Sequence, residues 1–126
     1  MNQSCENWLD LANDRVNTLV QNAIAMNDSD FEIPEDVTIE HVREFIGKLA
    51  TEVDLSKLGT PRIWLSENGD FVFQWKRQGA KLELKFTPSE MIVRVTAGRD
   101  EFIDRHPHST HEAQKVSHAI NLYQAA

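Results

Sequence analysis

Residues 62–96 read RIWLSENGDFVFQWKRQGAKLELKFTPSEMIVRVT, and hydrophobic residues in this stretch recur at every second position. A period of two is typical of β-strands, whose successive side chains point to opposite faces of a sheet. Turn residues interrupt the alternation at Asn68-Gly69, at Gly79-Ala80 and at Thr87-Pro88-Ser89-Glu90. Asn-Gly suits a two-residue hairpin turn, because both central positions of that turn need positive φ. The stretch therefore predicts four antiparallel strands, at about 62–67, 70–78, 81–87 and 90–96.

The predicted turns also determine which side chains share a face of this sheet. One face, which we expect to be buried, pairs Trp64 with Phe73, Trp75 with Leu84, Phe86 with Met91, Leu84 with Val93 and Leu82 with Val95. The opposite face pairs Lys76 with Glu83 and Glu83 with Arg94, and it also carries Ile63, Leu65, Val72 and Ile92. Four apolar residues are more than a solvated sheet face usually carries, so we expect contact with a partner or a second copy there.

Helical periodicity flanks the predicted strands. Apolar residues recur at three- and four-residue steps between Ser4 and Met26. They do so again in a second segment, from Ile39 to about Thr51. We expect Thr38 to cap the second helix, with Val37 and Val42 forming a hydrophobic staple. The sequence Ser109-Thr110-His111-Glu112 is a capping box that predicts a C-terminal helix. Between sheet and helix we expect a turn at Gly98-Arg99-Asp100 and an apolar anchor at Phe102-Ile103.

The predicted fold class is α+β, with one domain over residues 1–126. We expect a two-layer arrangement in which a four-stranded antiparallel meander of order 1-2-3-4 packs against helices. The element order is α-α-β-β-β-β-α.

Charge is distributed unevenly along the chain. The 126 residues include 13 Lys and Arg against 20 Asp and Glu, a formal net charge of -7. Thirteen consecutive residues, 28–40, contain no Lys or Arg and six carboxylates: Asp28, Asp30, Glu32, Glu35, Asp36 and Glu40. A negative field of this kind attracts a basic partner and repels nucleic acid. We therefore expect a protein partner with a basic surface and no direct contact with nucleic acid.

Redox chemistry and membrane insertion receive no support from the sequence. Cys5 is the single cysteine, so it forms no internal disulfide. No apolar run approaches the roughly 20 residues that span a bilayer, and the N-terminus lacks the pattern of a signal peptide. These features predict a cytoplasmic protein without membrane contact.

The densest group of metal-capable residues is Asp104, His106, His108 and His111. Imidazole and carboxylate groups bind zinc and iron, but this spacing matches no established metal-binding signature. We predict no catalytic residue, no metal ligand and no cofactor, and hence no enzyme activity. A metal-dependent enzyme or sensor built on these four residues stays open as the alternative.

The segment PRIWLSENGDFVFQW, residues 61–75, resembles a recurring pattern of Pro-x-Ile, Asn-Gly and Val-x-x-Trp. It is similar to a group of small, poorly characterised prokaryotic proteins, often linked to mobile elements, in which helices precede a β-meander. The resemblance covers about a fifth of the chain. It implies this fold and a phage, plasmid or bacterial setting, and it supplies no catalytic residue.

Together these observations predict a non-catalytic, acidic protein-binding factor, such as an inhibitor, an antitoxin-like protein or an anti-defence protein. Its partner would offer a basic surface, one that otherwise holds nucleic acid. The predicted contact residues are Asp28, Asp30, Glu32, Glu35, Asp36, Glu40, Ile63, Leu65, Val72 and Ile92. A homo-oligomeric scaffold or homodimer that uses the outer sheet face is a further alternative.

Overall fold

The computed structural model describes residues 4–26, 32–52, 58–108 and 112–125. In this part of the chain three helices and five strands occur in the order α-α-β-β-β-β-β-α. The helices are α1 (Ser4–Met26), α2 (Asp36–Glu52) and α3 (Glu112–Ala125). The strands are β1 (Arg62–Leu65), β2 (Phe71–Arg77), β3 (Ala80–Phe86), β4 (Glu90–Ala97) and β5 (Asp100–Pro107). The predicted α+β class is confirmed. None of the described helices is long and apolar enough to cross a membrane.

The strands form one antiparallel sheet in the order β1-β2-β3-β4-β5, one strand more than the sequence predicts. The additional strand is β5, which occupies the segment predicted to be a turn and an apolar anchor. Gly98, with a φ of 62°, forms with Arg99 a two-residue turn that leads directly from β4 into β5. Because β5 carries charged side chains on both faces, its sequence lacks the alternation that marks a half-buried strand.

The register of the central strands agrees with the prediction in part. Between β3 and β4 the observed pairs are those predicted: Phe86 with Met91, Leu84 with Val93 and Leu82 with Val95. Between β2 and β3 the predicted register is wrong by two residues, since Trp75 lies opposite Leu82 rather than opposite Leu84. The turn there is Gln78-Gly79, and Gly79 takes the positive φ, 83°, at its second position. A shift of two leaves each side chain on its predicted face.

This shift changes the predicted charge pairs on the outer face of the sheet. Lys76 lies opposite Lys81, so its predicted pairing with Glu83 is wrong. Glu83 instead accepts a hydrogen bond of 3.2 Å from the side-chain amide of Gln74. On its other side Glu83 lies opposite Arg94, as predicted.

The turn between β1 and β2 has three residues, Glu67, Asn68 and Gly69, rather than the predicted two. The Ser66 N–H donates to the Asp70 carbonyl at 2.9 Å, and the Gly69 N–H donates to the Ser66 carbonyl at 3.1 Å. Gly69 has a φ of 80°, as expected for the last residue of a type I turn that ends in a β-bulge. The additional turn residue shifts β1 by one position along β2.

A shift of one exchanges the two faces of β1. Ile63 lies opposite Phe73 on the helix-facing side and is 5% exposed, while Trp64 lies opposite Val72 on the outer face. The prediction that Ile63 and Leu65 lie on the outer face and Trp64 in the core is therefore wrong.

The helices and one face of the sheet share a single core. Helix α1 packs against α2 and β1, and α3 packs against β3 and β4. The ring of Phe45 in α2 lies 5.0 Å from that of Phe86, which lies 5.4 Å from that of Phe73. Trp75 is buried beside them, and its indole N–H donates to the Gly59 carbonyl at 3.0 Å. These aromatic contacts join the helix layer to the sheet.

A side chain from the sheet caps the end of α3. The Arg77 guanidinium donates to the carbonyls of Tyr123 and Gln124 at 2.7 and 2.6 Å, and it lies over the Tyr123 ring. A cation at this position also interacts favourably with the negative end of the helix dipole. The predicted capping box falls mostly on residues 109–111, which lie outside the described residues.

We expect Gly69→Ala to lower the free energy of unfolding by about 1–3 kcal/mol, because a residue with a Cβ is strained at this positive φ. The new Cβ would also lie 3.1 Å from the Glu32 carbonyl oxygen. Gly79→Ala is the matched control, since its φ is similar but a Cβ there would meet no atom within 4 Å. Urea denaturation should show the larger loss for Gly69→Ala, whereas equal losses would show that the approach to Glu32 contributes nothing.

Candidate protein-binding surface

The described part of the acidic segment lies against the β1–β2 turn before it enters α2. The Glu32 N–H donates to the Glu67 carbonyl at 2.9 Å. A Cβ at Gly69 would meet backbone atoms of Glu32 and Ile33 at 3.1 to 3.4 Å. Glycine at this turn position therefore lets the two backbones approach closely, and it fixes where the acidic segment lies.

The start of α2 differs from the prediction. The helix begins at Asp36, and the Ile39 N–H donates to the Glu35 carbonyl at 3.1 Å, so Glu35 flanks the first turn. Thr38 lies inside the helix, and its predicted role as the cap is wrong. Its hydroxyl is buried and has no hydrogen-bond partner among the described residues. Carboxylates at Glu35 and Asp36 suit this position, because the positive end of the helix dipole stabilises them.

Two large apolar side chains are exposed within this acidic segment. Ile33 is 46% exposed and Val37 is 41% exposed, so the predicted staple between Val37 and the buried Val42 is wrong. The carboxylate residues next to them in the chain are all exposed. We call six residues together the acidic surface: Glu32, Ile33, Glu35, Asp36, Val37 and Glu40. Asp28 and Asp30, the other predicted acidic residues, lie outside the described residues.

A buried carboxyl, that of Asp70, is influenced by the acidic surface. The Asp70 carboxylate is 3.8 Å from Nζ of Lys85, and the Asp70 side chain is only 9% exposed. Burial raises the pKa of the Asp70 carboxyl, Lys85 opposes that change, and Glu32 adds to it. The charge of Glu32, the first acidic residue of the surface, therefore acts on the pKa of a carboxyl that directly follows the β1–β2 turn.

The apolar half of the predicted contact set is placed differently by the structure. Ile63 belongs to the core, and Leu65 packs partly buried against that core. Val72 and Ile92 do lie on the outer face, but Val72 is 5% exposed and Ile92 is half-buried in the register next to Lys85. These four residues therefore offer a partner little apolar area.

The predicted histidine cluster is divided between two contacts. On the helix-facing side of β5, the Asp104 carboxylate lies 3.0 Å from Nε2 of His106. His108 stacks on His41 of α2, with ring centroids 3.9 Å apart. His111 lies outside the described residues.

The contacts of His108 are those of a structural residue. Its Nε2–H donates to the Thr87 carbonyl at 2.6 Å, which ties the end of β5 to the β3–β4 turn. Within the ranges that the structure describes, no three His, Cys, Asp or Glu side chains form a group able to hold a metal ion. The metal-dependent alternative gains no support from these contacts.

An open cavity of about 330 Å³ lies between α1 and the start of β1. Its charged lining residues are Arg15 and Arg62. The Nε–H of Arg15 donates to the Ile63 carbonyl at 3.1 Å, and the Arg62 guanidinium lies over the Trp64 ring. Arg15 thus ties β1 to α1, whereas the contact between Arg62 and Trp64 lies within β1.

Comparison with known proteins assigns no role to these surfaces. No protein-family model matches the chain, and neither curated proteins nor solved structures gave a match. The function is therefore inferred from the chemistry of the acidic surface itself.

The raised pKa of Asp70 predicts how stability depends on pH. The folded protein binds a proton at Asp70 more tightly than the unfolded chain does, so stability falls as pH rises through the pKa of this group. Asp70→Asn removes this titration. We therefore expect the stability of Asp70→Asn relative to the wild type to increase between about pH 3 and pH 7.

Urea denaturation at a series of pH values measures this difference. Asp10→Asn, at an exposed carboxylate of α1, is the control and should show no comparable trend. A difference between Asp70→Asn and the wild type that stays constant with pH, or that changes in the opposite direction, contradicts the assignment.

Proposed function

We propose that the chain is a non-catalytic protein-binding factor that uses the acidic surface to bind a basic surface of a partner protein. The exposure of Ile33 and Val37 among four exposed carboxylates is the observation that supports it most strongly. Exposed apolar groups bordered by polar residues are typical of protein interaction sites.

The charged and apolar residues of this surface have different tasks in the proposal. Carboxylates accelerate the encounter with a basic partner and select its orientation, and salt weakens this effect. Ile33 and Val37 lose water on binding, which supplies affinity and slows dissociation. A surface with both properties binds a partner that combines Lys or Arg side chains with an apolar contact.

The regulatory part of the proposal follows from the chemistry of such a partner. Surfaces rich in Lys and Arg are typical of proteins that hold nucleic acid. A protein that covers such a surface competes with nucleic acid for it. We therefore propose an inhibitor, antitoxin-like or anti-defence role, in the prokaryotic mobile-element setting that the resemblance implies.

Removing charge from the acidic surface should slow association. For the double variant Glu35→Gln/Glu40→Gln we expect an association rate about three- to tenfold lower at low ionic strength, and little change at high salt. Asp36 is left unchanged so that the first turn of α2 keeps its carboxylate. The measurement is biolayer interferometry against the partner that wild-type bait captures from cell lysate.

The matched control is Asp10→Asn/Asp14→Asn, which removes the same charge from exposed positions on α1. It should associate at the wild-type rate, apart from a small effect of net charge. Equal slowing in both double variants, or a captured partner without a basic surface, would contradict the role of the acidic surface.

Truncating the apolar pair should act on dissociation instead. Ile33→Ala/Val37→Ala is expected to dissociate about ten- to a hundredfold faster, since about 1.4–2.8 kcal/mol of apolar contact is lost. The stability of this variant should stay within about 0.5 kcal/mol of the wild type, because both side chains are exposed. Leu11→Ala, at another exposed apolar residue, should leave dissociation unchanged. An unchanged dissociation rate in the Ile33→Ala/Val37→Ala variant would contradict the proposed role of this pair.

A further inference from the structure

The two edges of the sheet, β1 and β5, differ in what the rest of the described chain places next to them. At the β1 edge, the side chain of Arg15 in α1 donates to the Ile63 carbonyl at 3.1 Å. At the opposite edge, β5 has β4 on one side and no strand among the described residues on the other. An unpaired edge strand of eight residues offers backbone groups to another strand.

The register determines which groups of β5 are offered. The two-residue turn makes Ala97 and Asp100 the closing pair, so Asp100 and every second residue after it point their N–H and C=O groups to β4. Glu101, Ile103 and Arg105 therefore point theirs away from the sheet. The Arg105 N–H is held by the adjacent Asp104 carboxylate at 2.9 Å. Glu101 and Ile103 carry the groups on which pairing would begin.

The side chains of β5 are complementary to those of a second β5 that runs in the opposite direction. An antiparallel pair centred on Ile103 places this residue opposite its own copy. On the outer face Glu101 then lies opposite Arg105 of the second copy, and on the helix-facing side Asp100 lies opposite His106 and Phe102 opposite Asp104 of the second copy. Each of these pairs occurs twice because of the twofold axis. The opposite charges of Glu101 and Arg105, directly across the two strands, stabilise the pairing.

Ion pairs already present within one chain extend this complementarity. On the outer face Arg105 binds Glu90 at 3.0 Å, and Arg94 lies 3.8 Å from Glu101. Pairing two β5 strands would join these contacts into a row of alternating sign: Glu90, Arg105, then Glu101 and Arg94 of the second copy. Ile103 lies on the same face at the centre, and it is 48% exposed in the single chain.

We propose that two copies of this chain form a dimer by pairing their β5 strands antiparallel about Ile103, which creates one continuous ten-stranded sheet. The Ile103 pair exchanges two backbone hydrogen bonds, and the Glu101 N–H groups add two more to the Arg105 carbonyls. The exposed Ile103 side chains meet across the axis. This proposal is independent of the function assigned to the acidic surface.

A dimer through the outer faces is the main competing arrangement, and the charges oppose it. Lys76 and Lys81 lie directly opposite one another there, and neither forms an ion pair with any residue that the structure describes. Stacking two such faces would remove water from both ammonium groups, which is costly for charges that have no partner within the described residues. The β5 edge instead presents both signs in a self-complementary order.

The test uses two variants with opposite charge at the axis. Ile103→Lys and Ile103→Glu should each be monomeric in sedimentation velocity, at concentrations where the wild type has twice the mass of one chain. Either substitution should weaken self-association at least tenfold, because like charges meet across the axis. An equimolar mixture of the two variants should regain a dimer, since Lys and Glu then face each other. Leu11→Lys, at an exposed apolar residue of α1, is the matched control and should remain dimeric.

A second experiment, hydrogen exchange, detects the proposed backbone contact in the wild-type protein. Hydrogen exchange at the Glu101 and Ile103 amides should slow as the wild-type concentration is raised, with no such change at Phe102. A wild type that stays monomeric to about 1 mM overturns the proposal, as does a dimer that persists in Ile103→Lys. A mixture of the two variants that stays monomeric also overturns it, and so does an exchange rate at Ile103 that is independent of concentration.

Discussion

The close contact between the β1–β2 turn and the chain before α2 determines both a core strand and the acidic surface. Gly69 has a positive φ, and it lies so near Glu32 that a Cβ would crowd the Glu32 carbonyl. The same glycine ends a three-residue turn that sends Ile63 into the core and Trp64 to the outer face. One backbone arrangement thus sets the register of β1 and the position from which α2 presents its carboxylates. A change in this turn would alter the fold and the surface together.

The parts of the fold that the sequence predicts well are those where one face is clearly apolar. The alternation in β3 and β4 excludes a slip of one residue, which would expose Leu84 and Val93, and the short turn between these strands sets the remaining choice of register. The β1–β2 turn is ambiguous in the sequence, because Asn68-Gly69 suits both a two-residue turn and the three-residue turn that forms. In β1 the adjacent residues Ile63, Trp64 and Leu65 are all apolar, so alternation did not distinguish the two faces. The sequence does not predict strand β5, because charged residues occupy both of its faces.

The acidic half of the candidate surface was visible in the sequence, whereas its apolar half was not. A run of carboxylates without Lys or Arg needs no structure to be recognised. Ile33 lies in a connector and Val37 near the start of a helix. From the sequence alone, apolar residues at such positions are expected to pack against the core. Helix α2 starts at Asp36 rather than after Thr38, three residues earlier than predicted, so Val37 lies in its first turn, where it is exposed. Propensity alone could not place the start, because Glu35 and Thr38 both suit positions near a helix N-terminus.

The two proposed contact regions occupy different parts of the sheet, which allows them to act together. The acidic surface lies beside the β1–β2 turn, while the proposed twofold axis crosses the middle of β5 at the opposite edge. Partner binding would therefore leave Ile103 accessible to a second copy. A dimer would carry two acidic surfaces on one rigid sheet, and a partner with repeated basic sites would meet the second at high effective concentration. Under that geometry a modest contact through Ile33, Val37 and their carboxylates suffices for tight binding, because the second contact forms within an existing complex.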